Sequence, residues 1–144
     1  MANQESPEDA RSGPDGFGEP TPFMRATGLH LNEIGAERVT GWIDLGPDQH
    51  QVFGIVHGGV YAAVVEESAS FGAGLAVRAA GQQAVGVSNT TNFIRPMSTG
   101  RVMVEAVPLH QGRTQQLWEV RITRAEDGKP VALGQVRLQN IVLA

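Results

Sequence analysis

The stretch Gly54–Ser70, "GIVHGGVYAAVVEESAS", decides how the rest of the chain is read. His57 precedes two glycines, and the residues that follow are small and apolar, with Val60, Ala63, Val64 and Phe71 returning at helical spacing. That pattern predicts a helix from Gly59 to about Ala80, the only long one in the sequence and too apolar for a surface helix. Two adjacent glutamates, Glu66 and Glu67, are set into this run. Carboxylates are seldom buried without a partner or a task. Glu66 and Ser70 are four residues apart and share a helical face, whereas Glu67 points about 100° away. One glutamate is therefore expected to face a site, and the other an interface hydrogen bond. Gly58 and Gly59 leave the helix N-terminus open to a ligand, where unsatisfied N–H groups and the positive dipole end suit a developing oxyanion. The same glycines would also suit a tight turn against a sheet, and His57 would equally suit a cap.

Outward from the helix, the pattern changes to strands. Upstream, Pro22 after Thr21 and Gly28 after a short apolar run mark a brief helix. "LHLNEIG" and "RVTGWIDL" then read as a strand pair joined through Gly35 and Ala36, the second alternating Val39, Gly41 and Ile43 against Thr40, Trp42 and Asp44. Downstream, "AVGVSNTTNFI", "RVMVEAVPLHQ", "QQLWEVRITRA" and "PVALGQVRLQNIVL" read as four more strands. Their separators carry the Pro, Gly and Asp of tight antiparallel connections. The order predicts an α+β fold, one helix laid across a curved antiparallel sheet. One helix covers only part of such a sheet, so the remaining apolar surface and the unpaired edge after the helix invite a second copy of the chain.

Composition narrows the function classes. The 144 residues, 41% hydrophobic, suit one domain. We read residues 1–20, acidic and rich in Pro and Gly, as a disordered tail, and residues 21–144 as the folded domain. A net charge of −4 without long charge runs offers no footprint for nucleic acid and no polybasic membrane patch. There is no cysteine, and the four histidines are dispersed, so no thiol chemistry, disulfide or metal site is expected. The N-terminus lacks a basic and apolar leader, and no segment is expected to reach the length of a membrane span, which points to a cytoplasmic protein without a cofactor.

The motifs "GIVHGGVYAAVVEE", "VGVSNTTNFIRP", "PLHQGRTQQLWEVRI" and "GQVRLQN" together resemble the hot-dog fold acyl-CoA thioesterases, the PaaI-like group, from about Phe23 onward. Glutamate nine residues after the histidine, with Gln51 six before it, is most similar to the 4-hydroxybenzoyl-CoA and 1,4-dihydroxy-2-naphthoyl-CoA branch. The resemblance implies Glu66 as the catalytic carboxylate, nucleophile or general base. It implies the Gly58 N–H as the group polarising the thioester carbonyl, Gln51 and His57 as helpers, and Ser70 as a hydroxyl orienting carboxylate or water. It also implies that Arg95, Arg113 and Thr114 hold CoA phosphates, CoA being part of the substrate and not a cofactor. The ending "NIVLA" carries no basic residue, so the nucleotide contact that some relatives make through a basic C-terminal extension is not expected, and the grip on CoA is expected from elsewhere. A homodimer or a dimer of dimers is expected. The acyl group, aromatic before medium-chain aliphatic, is expected around Phe53, Tyr61, Val64 and Val65. Two alternatives stand beside hydrolysis: a hot-dog dehydratase acting on hydroxyacyl thioesters, and a non-catalytic acyl-CoA-binding module. An α/β-hydrolase would need a G-x-S-x-G elbow, which "GVSNT" is not, and "GAGLAV" from Gly72 fails as a dinucleotide loop.

Overall fold

The computed structural model describes residues 17–143, so most of the expected N-terminal tail lies outside the described residues. The chain opens with helix α1 (Pro22–Thr27), strands β1 (His30–Ile34) and β2 (Val39–Leu45), and a single 3-10 turn (Pro47–Gln49). Helix α2 (Gly58–Arg78) follows, then β3 (Gln82–Phe93), β4 (Gly100–Gln111), β5 (Gln115–Arg124) and β6 (Pro130–Val142). Every expected element is present. At α1 the Thr21 hydroxyl accepts from the Met24 N–H, Pro22 opens the helix, and Gly28 closes it at φ 76°, a left-handed conformation that favours glycine.

The six strands form one antiparallel sheet in the order β1-β2-β4-β5-β6-β3. The strand that follows the helix therefore lies at an edge. Among the described residues β3 pairs only with β6, and its other side carries backbone groups without a strand partner and the exposed side chains Val85 and Val87. An edge of this kind is a template for pairing with another chain.

α2 lies across the sheet. Its buried residues are Tyr61, Val64, Val65, Ser68, Ala69, Gly72, Ala73 and Val77, one continuous seam at three- and four-residue spacing. Two glycines set how closely helix and sheet approach. A Cβ on Gly72 would come within 2.2 Å of the Trp118 ring, and one on Gly134 of β6 within 2.5 Å of Val65. Beneath the helix Trp118 donates to Gln116, which donates in turn to the Ala73 carbonyl and to Asn140. The interior polar groups of this cluster thus hold one another, as buried polar groups must.

The structure adjusts two sequence expectations. At 21 residues and a window hydropathy of 1.2, α2 does reach the length and composition of a membrane span, although 44% of that window is buried inside the fold. Its apolarity is that of a core helix, and the remaining faces carry Glu66, Glu67 and Arg78. Within the expected tail, Phe17 meets Phe71 edge-on, centroids 4.9 Å apart, and stacks under the Arg78 guanidinium.

Candidate active site

The site is assembled on the outer faces of α2, and the loop before it fixes where the helix starts. Buried Gln49 accepts from Gly46 N–H and donates to the Ala26 carbonyl, tying this loop to α1, and its own carbonyl accepts from His57 N–H. His57 is the N-cap. Its Nδ1 accepts from Gly59 N–H at 2.8 Å, so the ring satisfies one of the helix's orphan donors. The Gly58 N–H, beside it, has no acceptor among the described residues. A Cβ on Gly58 would lie 2.8 Å from the tip of the exposed Phe93 ring, so any side chain here would have to push that ring aside. Gln51 sits in a tight turn in which its side-chain oxygen accepts from Phe53 N–H, and Gly54 takes φ 82°. The loop leaves Val52, Phe53 and Ile55 exposed.

Two turns along the helix, Glu66 is exposed and leans toward β3, its Oε1 3.0 Å from where a Cβ on Gly86 would stand. A side chain at that position would press on the carboxylate and shift it by a few tenths of an ångström. Asn89 of the same strand donates to the Ala62 carbonyl and accepts from Thr91, clamping β3 to the helix between Glu66 and Gly58. Ser70 lines a groove of about 460 Å³ with Glu66, Ala63, Phe23 and Phe71. At about 1.5 Å rise per residue, Gly58 and Glu66 stand ~12 Å apart along one helix. The chain thus brings Glu66 together with Ser70, and Gly58 together with His57, at two separate places.

Glu67 takes the other side. It is half-buried against the N-terminal segment and β1, and burial pushes its carboxyl up to about 7. No hydrogen bond or ion pair to it is formed among the described residues.

The phosphate-binding candidates are not brought together. Arg95 follows β3, donating its Nη1 to Pro130 O and its N–H to Val131 O. Arg113 and Thr114 form the β4–β5 turn, where their carbonyls accept from Asn140. Val131 and Asn140 stand nine positions apart on extended β6, about 30 Å at ~3.3 Å per residue. Arg95 and Arg113 of one chain therefore cannot grip the same phosphate.

The expected acyl pocket is also corrected. Tyr61, Val64 and Val65 are 3%, 0% and 0% exposed and belong to the core against the sheet, while Phe53 is 86% exposed on its loop. Burial raises the Tyr61 hydroxyl to about 12, so it stays protonated at neutral pH. Sequence reasoning missed the roles of Gln49, Asn89 and Gly86; a polar residue facing inward in "VSNTTNF" was the available signal for Asn89. Among the described residues no cluster of His, Asp and Glu could hold a metal.

Residues 53–131 match the thioesterase superfamily, which spans α2 and most of the sheet. A Mycobacterium tuberculosis protein that carries an esterase name is 45% identical over 122 residues, 83% of this chain and 86% of that one. Its solved structure superposes with a TM-score of 0.81 at 44% identity, covering 86% and 99% of the two chains. The 1,4-dihydroxy-2-naphthoyl-CoA thioesterase 2 of Arabidopsis thaliana is 33% identical over 104 residues, 72% of this chain and 65% of its own. A solved thioesterase of Haemophilus influenzae has a TM-score of 0.77 at 27% identity, covering 84% and 83%. The chain belongs to the thioesterase superfamily, with the hot-dog fold. It is a thioester hydrolase.

Proposed function

We propose that the protein hydrolyses an acyl-CoA, with an aromatic acyl group before an aliphatic one, and that each site is shared between two chains. The observation that carries the reading is the place of Glu66: an exposed carboxylate beside the free-edged strand β3, ~12 Å along the helix from the unpaired Gly58 N–H. A thioester carbonyl bound by that N–H needs its attacker within about 3–3.5 Å of the carbon. A second α2, antiparallel beside the first, supplies the glutamate, and a two-fold axis through paired β3 edges generates two such sites. Gln51, His57 and Gly58 of one chain then meet Glu66 and Ser70 of the other. The same axis sets Arg95 near the partner's Arg113 and Thr114, which reconciles their ~30 Å separation within one chain with a single CoA.

In this arrangement the Gly58 donor and the helix dipole stabilise the oxyanion; such a donor is worth roughly 10²–10³ in rate. Glu66 takes a proton from the water that adds to the carbonyl carbon, or itself adds there to give an acyl anhydride that a water then cleaves, and Ser70 orients carboxylate or water. The C–S bond breaks, and the departing thiolate takes up the proton that the water gives up. CoA leaves as the thiol. Pairing of dimers into a tetramer and residence in the cytoplasm complete the proposal.

Thiol release from a panel of acyl-CoAs tests the chemistry, and an enoyl chromophore in place of free thiol would indicate dehydration. Glu66→Ala should leave folding intact and lower kcat by several orders of magnitude, more than Glu67→Ala. Co-expression of Gln51→Ala and Glu66→Ala chains tests the sharing. If each homodimer is nearly inactive, purified heterodimer keeps one intact site and should recover about half the native activity. A heterodimer as inactive as its parents would place both residues in one chain's site and refute the arrangement.

A further inference from the structure

Two hollows meet on the outer side of α2. The groove of about 460 Å³ that holds Glu66 and Ser70 adjoins a second of about 560 Å³, which extends past Arg25, His30 and Asn32 to Ile34. Phe17, Met24, Glu67 and Phe71 line both. A group that enters beside Glu66 thus reaches the second hollow over three apolar side chains and one carboxyl.

We propose that the acyl group lies across the junction of the two hollows and that Glu67, which stands at that junction, is a specificity-determining residue, hydrogen-bonding a hydroxyl at the end of that group remote from the thioester. The proposal rests on the reading of Glu66 as the catalytic carboxylate. Geometry supports it in two ways. Side chains on an α-helix reach about 5–6 Å from its axis, so successive residues 100° apart place their carboxyls about 8–9 Å from one another. That gap suits one substituted ring lying between a carbonyl at Glu66 and a polar group at Glu67. Second, among the described residues no hydrogen bond or ion pair competes for Glu67. With its carboxyl pushed up to about 7 by burial, it is present near neutrality in both forms and can donate to or accept from a hydroxyl. Phe17, Met24 and Phe71 supply the apolar walls that pack the body of the acyl group.

A pocket that merely packs an apolar group discriminates weakly, whereas one with a polar group left unpaired by the wrong substrate discriminates strongly. Glu67 is only partly dehydrated, so a tenfold to hundredfold preference is expected. The experiment compares kcat/KM for 4-hydroxybenzoyl-CoA and benzoyl-CoA in the full-length protein, Glu67→Gln and Glu67→Leu, with thermal unfolding to verify each fold. The wild type should favour the hydroxylated substrate by about tenfold or more. Glu67→Leu should bring the ratio close to one by slowing the hydroxylated substrate alone, and Glu67→Gln, whose amide still hydrogen-bonds, should keep part of the preference. A ratio unchanged in Glu67→Leu, or a wild type that hydrolyses both equally, overturns the role of Glu67 and leaves the hydrolase reading standing. A wild type that releases thiol from neither substrate overturns the aromatic reading and the proposal with it.

Discussion

Replacing Gly72 by alanine sets two effects of opposite sign against each other, and the structure decides between them. In a helix interior alanine is better than glycine by about 1 kcal/mol, so propensity alone predicts a more stable protein. The new Cβ, however, would stand 2.2 Å from the Trp118 ring, against an optimum near ~3.5–4.0 Å for carbon pairs. Trp118 has nowhere to go: it is 0% exposed and its Nε1 donates to Gln116. The helix must rise instead, which strains the 3.0 Å bond from Gln116 to the Ala73 carbonyl. Overpacking costs typically ~1–3 kcal/mol, and a weakened buried hydrogen bond roughly another 1 or more. A net loss of about 1–3 kcal/mol follows once propensity is subtracted. Gly74, two residues along, is the internal control, since a Cβ there meets Phe17 at an ordinary 3.6 Å. Gly74→Ala should stabilise by up to about 1 kcal/mol. Urea unfolding at one fixed protein concentration measures both, because unfolding of an oligomer depends on concentration. If Gly72→Ala is as stable as the wild type, the helix is not seated on Trp118 and the packing account fails.

Two further outcomes follow from the site. Arg95→Ala and Arg113→Ala should each raise KM for CoA thioesters while leaving turnover of the N-acetylcysteamine thioester nearly unchanged, because phosphate contacts serve ground and transition states alike; equal losses on both substrates would remove these residues from the CoA site. Burial raises the Glu67 carboxyl from 4.5 to about 7, so between these values the folded chain binds more protons than the unfolded one and Glu67 makes stability fall as pH rises. Glu67→Gln should therefore gain in Tm relative to wild type as pH goes from 4.5 to 7, and a difference that stays flat across that window would show that Glu67 is hydrated.

What could be read from the chain depended on whether the information was local. Alternation in "RVTGWIDL" and the Gly, Pro and Asp separators specified the strands, and the helical phase of Glu66, Glu67 and Ser70 assigned the two carboxylates to different faces before any sheet was in place. The same phase should have excluded Val64 and Val65 from the acyl pocket, since with Tyr61, Ser68 and Ala69 they form the seam that meets the sheet. Gly72 shows the opposite limit. As sequence it is a fragment of a failed dinucleotide loop, and only the indole of Trp118, brought beneath it from β5, explains it. Arg95 and Arg113 are eighteen residues apart in sequence, yet the β4 hairpin carries them to opposite ends of the sheet, a consequence of register that no motif encodes. Distances along one helix are the exception to this non-locality. The ~12 Å rise between Gly58 and Glu66 is fixed by helix geometry alone, so the proposal of a site shared with a second chain could be drawn from the seventeen residues from Gly54 to Ser70, while the strand proposed to bring that chain, β3, became visible only as an edge in the sheet.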